Sequence, residues 1–456
     1  MRPNLTKEFL VMVMMACAAG AVAQNLKVSD DARHLIYADG KPFFYLGDTG
    51  WELFHRTDSI QAINYLSNRA EKGFTVIQAV VLAEFDGLHT PNAYGEKPLI
   101  DDDPTRPNEA YFQYVDFIVK EANDRGLILG MLPTWGDKYN KRWGIGPEIF
   151  TPENAYRFGL FLGRRYLNSG IIWILGGDRI PEEIEDFQII SAMARGLRQG
   201  DGGEHLITFH PMGGQSSANF FQDSAWLDFN LFQSGHGEVD NPNYRMTRRD
   251  YARQPVKPVL DGEPNYEDHP INWTPSNGWF DAFDSRRAGY WSMLSGACGN
   301  TYGCHDVWQF LSDNFPPVSA ARTPWEQALD LPGAFQAGYM RHLFESRPWQ
   351  RLVPDDGILR QTPNAGGMTC VAAVDTLGQF LMAYTPYGHE LIVNTGRLYP
   401  DELQLWWFHP ATGTCIHGGI RSFRGSIQAD PPGDPGRGND WLLVIDRHSA
   451  GFKRPE

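Results

Sequence analysis

Eight short apolar runs, spread over the first two thirds of the chain, constrain its fold more than any other feature. Each run has the length and the continuous apolar character of a parallel strand that is buried on both faces. The predicted strands are 43–47, 75–82, 127–133, 171–175, 206–210, 228–233, 258–261 and 300–302.

Segments with helical periodicity separate most of these runs. They cover 59–72, 109–125, 152–168, 181–198, 244–253, 280–297 and 325–345, whereas the crossover around 219–227 is short. Thr151 before Pro152 suits a helix N-cap, and Gly73 and Gly126 suit the residues that end helices. Strands that alternate with helices in this way predict a (β/α)8 barrel, although an open doubly wound sheet has the same alternation.

The polar residues at the strand ends favour the barrel over the open sheet. In a barrel the carboxyl ends of all strands meet at one mouth, whereas an open sheet spreads them along an edge. No glycine-rich phosphate loop follows the first strand, which disfavours a nucleotide site. We expect the following strand-end residues to bind substrate: Asp48, Trp51, Glu84, Trp135, Asp137, His210, His236, Tyr302 and His305. For the aromatic ones, packing in the core is the open alternative.

The pattern changes after about residue 350. Short alternating runs follow, and turns rich in glycine and proline separate them. This pattern is typical of an all-β sandwich. We therefore expect a catalytic barrel over residues 24–350 and a small β-sandwich over residues 351–456.

The first 23 residues have the features of a signal peptide. Arg2 and Lys7 precede an apolar run that is too short to span a bilayer, and Ala21-Val22-Ala23 forms a cleavage site. Cys17 leaves a lipoprotein as an alternative. We expect an exported protein in the periplasm or on the surface of a Gram-negative bacterium, without a later membrane span.

Composition excludes one class of partner and suits another. The formal charge is −15, which disfavours binding to the phosphate backbone of nucleic acids. Aromatic residues make up 13% of the chain, including 14 Trp, and aromatic rings suit the apolar faces of sugars. The expected ligand is a plant polysaccharide or oligosaccharide, and the sequence does not assign an oligomeric state.

Four cysteines follow the predicted signal peptide: Cys298, Cys304, Cys370 and Cys415. In an exported protein they permit two bridges, of which the most local pair Cys298 with Cys304 and Cys370 with Cys415. Four buried free thiols are the alternative. None has the Cys-x-x-Cys spacing of a zinc site, so we expect no structural metal.

Asp178 is the first candidate catalytic residue. It follows the apolar run 171–175 and two glycines, which allow a substrate to approach the backbone closely. Capping of the helix that follows is the structural alternative. Arg179, as its neighbour at a strand end, is expected to point to the opposite side.

Glu263 is the second candidate, because it too follows a buried strand and a glycine. Asp261 points the same way but deeper and is expected to orient the site, and Glu267 is expected at the rim. A salt bridge at the barrel end is the alternative for Glu263. Glycoside cleavage needs one carboxylic acid to protonate the leaving oxygen and one carboxylate to attack the sugar or activate water.

His210, His236 and His305 leave a barrel metallohydrolase as a competing class, since a catalytic zinc needs about three such ligands. Those enzymes usually carry His-x-His at the end of the first strand, where this chain has Gly47-Asp48-Thr49. We therefore expect no metal and no cofactor, and assign these histidines to sugar hydroxyls or to packing.

These residues resemble a known family. Five segments, 47–52, 74–78, 133–137, 173–178 and 261–267, are similar to the apiosidase-type glycoside hydrolases of family 140, known from gut Bacteroides that degrade rhamnogalacturonan-II. The region after the barrel resembles a collagen-binding-like β-domain.

The resemblance implies that Asp178 is the acid/base and Glu263 the nucleophile of a retaining reaction. The implied substrate is a D-apiosyl linkage in pectin side chains. Most retaining barrels of this kind carry Asn-Glu where this chain has Gly177-Asp178. Because the Asp side chain is shorter, either the acid lies closer to the bond or the strand is shifted. The alternative that is not an enzyme is a carbohydrate- or matrix-binding protein with a degenerate barrel.

Overall fold

The computed structural model describes residues 25–360, 362–423 and 425–455. The predicted signal peptide, residues 1–23, lies outside these ranges. The chain forms a parallel eight-stranded barrel surrounded by helices, followed by two antiparallel sheets. None of the helices in the described ranges is long and apolar enough to cross a membrane.

The first strands of the chain, β1 (Leu26–Val28), β2 (Leu35–Tyr37) and β3 (Pro42–Phe43), form a small antiparallel sheet.

The barrel strands lie at the eight runs that the sequence predicts as strands. The barrel strands are β4 (Tyr45–Thr49), β5 (Val76–Val80), β6 (Ile128–Leu132), β7 (Ile171–Gly176), β8 (Ile207–His210), β9 (Asn230–Phe232), β10 (Val259–Asp261) and β11 (Gly299–Tyr302).

The strands close into a ring, which confirms the predicted barrel. Strands β11, β4, β5, β6, β7 and β8 pair in that order as one parallel sheet, and β9 pairs with β10. The Asp228 amide donates to the Ile207 carbonyl, and the Cys298 amide donates to the Val259 carbonyl, each at 2.9 Å. These two bonds link the pair β9–β10 to its neighbours on both sides.

Six of the seven predicted helices form near their predicted positions, and the short helices α1 and α9 are additional. The helices are α1 (Leu53–Arg56), α2 (Ser59–Glu71), α3 (Glu109–Asp124), α4 (Pro152–Tyr166), α5 (Ile184–Gly200), α6 (Ala218–Phe221), α7 (Asn243–Tyr251), α8 (Ala282–Met293), α9 (His305–Trp308), α10 (Trp325–Ala328) and α11 (Pro332–Glu345). Thr151 caps α4 as expected. The prediction of one helix over 325–345 is wrong, because Pro332 starts a separate helix.

Side chains of the barrel strands alternate between the barrel interior and the helix layer. On β5, Val76 and Val80 belong to the interior cluster, whereas Ile77 packs towards the helices. Leu26 and Leu35 of the small N-terminal sheet join the same interior cluster at the amino ends of the strands. The bottom of the barrel is thereby covered, and the carboxyl ends form the open mouth.

The C-terminal region is a β-sandwich, as predicted. Its strands are β12 (Leu352–Pro354), β13 (Leu359–Arg360), β14 (Val371–Asp375), β15 (Phe380–Thr385), β16 (Leu391–Asn394), β17 (Glu402–His409), β18 (Thr414–Ser422), β19 (Ser426–Ala429) and β20 (Trp441–Arg447). The sheets have the orders β12-β14-β15-β20-β17-β18 and β13-β16-β19. Leu381 and Ile445 face the sandwich core, whereas Met382 and Val444 join the apolar cluster of the helix layer around the barrel.

The four cysteines Cys298, Cys304, Cys370 and Cys415 are free and buried, so the alternative with two disulfides is wrong. Strand β11 lies between Cys298 and Cys304. An extended strand rises about 3.3 Å per residue, which separates these two thiols far more than a disulfide allows.

Candidate functional site

A cavity of about 780 Å³ opens at the carboxyl ends of the barrel strands. This volume is in the range of pockets that enclose small organic ligands. Of the residues that the sequence singles out, the following line it: Trp51, Glu84, Trp135, Asp178, His236, Glu263 and His305. The two candidate carboxyls, from the fourth and the seventh barrel strand, therefore share one cavity.

Two glycines and a strained turn place Asp178 at the cavity. Gly176, Gly177 and Asp178 have φ values of 92°, 106° and 54°. A Cβ on Gly176 would lie 2.4 Å from the His210 carbonyl oxygen, and one on Gly177 would lie 3.0 Å from the Gly136 amide nitrogen. Only glycine fits these positions, and a left-handed aspartate is backbone strain of the kind that is concentrated at functional sites.

Two histidines hold the Glu263 carboxyl group. His236 Nε2 lies 2.9 Å from Glu263 Oε1, and His210 Nε2 lies 3.1 Å from Oε2. Both rings are buried. They come from the ends of neighbouring barrel strands, β8 and β9, so the barrel geometry brings them to one side of the nucleophile candidate.

Backbone contacts decide which ring nitrogens carry hydrogen. The Asp178 amide donates to His210 Nδ1, and the Tyr266 amide donates to His236 Nδ1, each at 3.4 Å. Because both Nδ1 atoms accept, both Nε2 atoms carry the hydrogen. The His236 N–H donates to Glu263 Oε1, whereas the His210 N–H lies close to Oε2 without the alignment of a hydrogen bond. Burial alone would raise the pKa of Glu263, but the two imidazoles outweigh it and lower the pKa to about 2.

Asp178 has the opposite shift. Burial and the negative charge of Glu263 raise the pKa of Asp178 to about 6, although His210, Arg179 and Trp143 act against the shift. The Trp143 indole N–H donates to Asp178 Oδ2 at 3.3 Å. Two carboxyl groups in one cavity with pKa values driven apart are the arrangement of a proton donor beside an anion.

The prediction that Arg179 points away from Asp178 is wrong. Its Nη1 lies 3.5 Å from Asp178 Oδ2 and donates to the Asp178 carbonyl oxygen at 2.7 Å. Its guanidinium stacks on the Trp143 ring, 3.7 Å from the ring centroid. Strand alternation does not continue here, because the left-handed turn at Asp178 breaks the extended backbone.

Four of the predicted substrate-binding residues do not line the cavity: His210, which instead lies against Glu263, and Asp48, Asp137 and Tyr302. Asp48 pairs with Arg69 at 2.7 Å, and Asp137 pairs with Lys138 at 2.8 Å, all with fully buried side chains. Tyr302 donates its hydroxyl to Glu267 at 2.6 Å. Asp48 and Tyr302 lie within strands β4 and β11 instead of beyond them, so they stabilise the barrel wall.

Two further acids near Glu263 have structural contacts. Asp261 accepts hydrogen bonds from Ser234 at 2.7 Å and from Asn243 at 3.1 Å, which ties β10 to the loop after β9. Glu267 is buried and also accepts from the Gly333 amide at 3.0 Å, so its predicted position at the rim is wrong.

Several residues that line the cavity were not predicted from the sequence, among them Trp143, His269 and Trp273. None of them follows a strand directly. Trp143 lies on the loop after β6, and the other two lie on the loop after β10. A search for aromatic and histidine side chains in the loops that leave the strand ends would have included them.

The three histidines of the metallohydrolase alternative are engaged in protein contacts. His210 and His236 face Glu263, and His305 Nε2 bonds to the Ser319 carbonyl oxygen at 3.1 Å. Within the described residues, no group of three or more His, Cys, Asp or Glu side chains has an arrangement that could hold a metal ion.

Comparison with known families decides the class of this site. Residues 29–351 match the family model described as "Apiosidase-like, catalytic domain". The chain belongs to the apiosidase-like family. Residues 353–446 of this apiosidase-like chain match a second model, "Putative collagen-binding domain of a collagenase".

Solved structures agree with the family. The apiosidase-like chain is 29% identical to a glycoside hydrolase, with a TM-score of 0.85 over 93% of this chain and 97% of the other. It is 29% identical to a glycoside hydrolase family 5 protein from Bacteroides vulgatus, with a TM-score of 0.87 over 94% of each chain. A search of curated proteins found no match. The protein is therefore a glycosidase with a barrel catalytic domain.

Proposed function

We propose that this glycosidase cleaves a D-apiosyl linkage of the pectin rhamnogalacturonan-II with retention of configuration. One observation supports the mechanism above all others: Glu263 faces two imidazole N–H donors in the cavity that also contains Asp178. A carboxylate that such donors keep ionised is suited to attack the anomeric carbon. A carboxylic acid with a raised pKa is suited to protonate the leaving oxygen. The apiosyl substrate is supported by the family match.

The proposed reaction has two steps. Asp178 donates its proton to the leaving oxygen while a Glu263 oxygen attacks the anomeric carbon, and a covalent glycosyl-enzyme forms. In the second step the Asp178 carboxylate removes a proton from water, which attacks the anomeric carbon and releases Glu263. The strained turn at residues 176–178 fixes the acid relative to the nucleophile.

Product analysis tests the substrate. The enzyme is incubated with rhamnogalacturonan-II and with a panel of aryl glycosides, and the released sugar is identified. We expect free apiose from the polysaccharide and no product with Glu263→Gln. Release of another sugar without apiose would reject the apiosyl linkage and leave the glycosidase assignment in place.

We also propose export to the periplasm or the cell surface, on the basis of residues 1–23. N-terminal sequencing of the protein from the producing cell should begin at Gln24. An intact Met1 would contradict this proposal.

A further inference from the structure

The loop after β10 forms the cavity wall beside Glu263. Its two arms are held by backbone bonds: the Asp268 amide donates to the Phe280 carbonyl at 3.0 Å, and the Phe280 amide donates to the His269 carbonyl at 2.9 Å. His269 and Trp273 of this loop line the cavity. Neither has a role in the two-carboxylate mechanism.

His269 has one ring nitrogen available to a ligand. Its Nδ1 lies 2.7 Å from the Pro270 carbonyl oxygen, and since a carbonyl only accepts, Nδ1 carries the hydrogen. Among the described residues, none hydrogen-bonds His269 Nε2, although the side chain is only 2% exposed. Nε2 is therefore a free hydrogen-bond acceptor on a side chain that lines the cavity.

The neighbours of His269 keep its ring neutral. It lies against His236 and against His305, with 4.3 Å between ring centroids in each case. Burial lowers the pKa of His269, and the positive charge that either neighbour would carry lowers it further. Over the working pH range Nε2 therefore accepts a hydrogen bond and does not donate one.

Trp273 adds an apolar wall at the mouth. Its ring is edge-on to the His269 ring, with centroids 5.7 Å apart, and 53% of the residue is exposed. Asn272 and Trp273 have φ values of 52° and 53°. A bulky residue in this region is backbone strain, and such strain is concentrated at functional sites.

We propose that His269 and Trp273 form a sugar subsite on the Glu263 side of the cavity. His269 Nε2 accepts a hydrogen bond from a free hydroxyl of the sugar that Glu263 attacks, and Trp273 covers the apolar face of that sugar. The inference deepens the proposed function and rests on it. It specifies the substrate class further: a sugar that is deoxygenated, methylated or acetylated at this hydroxyl has no hydrogen to offer and is rejected.

Substrate analogues and two variants test the subsite. The substrate is an aryl D-apioside, together with derivatives in which each hydroxyl in turn is replaced by hydrogen or by methoxy. His269→Met removes the acceptor at similar size, whereas His269→Gln places an amide oxygen near the position of Nε2. The measurement is kcat/KM for every pair of enzyme and substrate.

We expect the wild type to disfavour one deoxy and the matching methoxy derivative by about 10–100-fold. His269→Met should lose a similar factor on the parent substrate and nothing further on that deoxy derivative, and His269→Gln should recover most of the loss. Trp273→Ala should raise KM more than it lowers kcat. Equal losses on all derivatives would reduce His269 to a packing role and overturn the inference.

Rejection of the apiosyl substrate can be distinguished from rejection of the subsite. If the panel shows turnover of another aryl glycoside and none of the apioside, the apiosyl substrate is rejected. The same deoxy and methoxy series of the accepted glycoside then decides the subsite: the His269 pattern supports it, and the absence of the pattern overturns it.

Discussion

At the residue scale, the charge of the two carboxyl groups is set by the atoms around them. Two imidazole N–H groups face Glu263, whereas Asp178 has one indole donor at 3.3 Å and the negative charge of Glu263 nearby. Between pH values of about 2 and 6, Glu263 is therefore ionised and Asp178 protonated before substrate binds.

These states predict the pH dependence of kcat/KM. Activity requires Glu263 to be ionised, so it falls as the pH drops towards the pKa of about 2. It also requires Asp178 to be protonated, so it falls as the pH rises through about 6. An acidic optimum between these limbs is expected with an aryl glycoside. An activity that still increases above pH 7 would contradict the assignment of Asp178 as the acid.

Substitution of either carboxyl group should remove turnover. Asp178→Asn should lower kcat/KM by about 10²–10⁴-fold, and Glu263→Gln should lower it at least as much, with unchanged circular dichroism. Asp124→Asn is the matched control, since Asp124 forms an exposed pair with Lys120. Substantial activity in both catalytic variants would exclude the two-carboxylate mechanism.

The hydrogen bond from Trp143 should lower the pKa of Asp178. Its N–H stabilises the carboxylate form, so Trp143→Phe should raise the pKa of Asp178 and move the basic limb of the pH profile upwards. A shift of several tenths of a pH unit is expected, with the acidic limb unchanged. A basic limb that stays in place would show that this hydrogen bond is absent in the working enzyme.

At the element scale, the turn after β7 determines where the acid lies. Gly177→Ala should cost about 1–3 kcal/mol of stability and lower kcat, because φ is 106° and the new Cβ would meet the Gly136 amide at 3.0 Å. Gly436 has no atom within 4 Å of such a Cβ, so Gly436→Ala is the control. Thermal unfolding and kcat of the two variants are compared, and equal effects would contradict the role of this turn.

Strand positions could be predicted from the sequence because most barrel strands are short, mainly apolar runs, with β11 (Gly299–Tyr302) as the most polar exception. Asp178 and Glu263 could be found because each follows such a run and glycine. Asp48 follows the same rule and yet pairs with Arg69, since it lies one residue before the end of β4. A shift of one residue along a strand turns a side chain to the other face, and the sequence does not fix strand ends that closely.

The remaining site residues depend on loops. Trp143 and His269 reach the cavity through backbone bonds and ring contacts with residues that are distant in sequence, so no periodic pattern marks them. The bulky Trp273 at positive φ is also a tertiary effect, because sequence preferences alone disfavour it.

At the scale of the whole molecule, buried ion pairs join the barrel to the sandwich. Arg286 on α8 binds Asp440 through Nε and Nη2, the latter at 2.6 Å, and both side chains are buried. Arg347 binds Asp446 in the same way at 2.6 Å. The sandwich is thus a fixed part of the molecule at the side of the barrel.

Loss of one partner of such a pair should destabilise both domains. Arg286→Met leaves the Asp440 carboxylate buried without its cation, so we expect a loss of about 3–5 kcal/mol and a lower Tm. Arg157→Met, which removes an exposed pair with Glu153, should change stability by less than about 1 kcal/mol. Similar unfolding curves for the two variants would contradict a tightly joined interface.

Covalent trapping tests the central claim most directly, because it reports the nucleophile and the stereochemical course together. The enzyme is incubated with an aryl 2-deoxy-2-fluoro glycoside of the sugar that it releases, and intact and peptide masses are measured. We expect one fluoroglycosyl adduct on the peptide that contains Glu263, and none with Glu263→Gln. An adduct on another residue, or turnover that gives an inverted product without any adduct, would exclude Glu263 as the nucleophile of a retaining reaction.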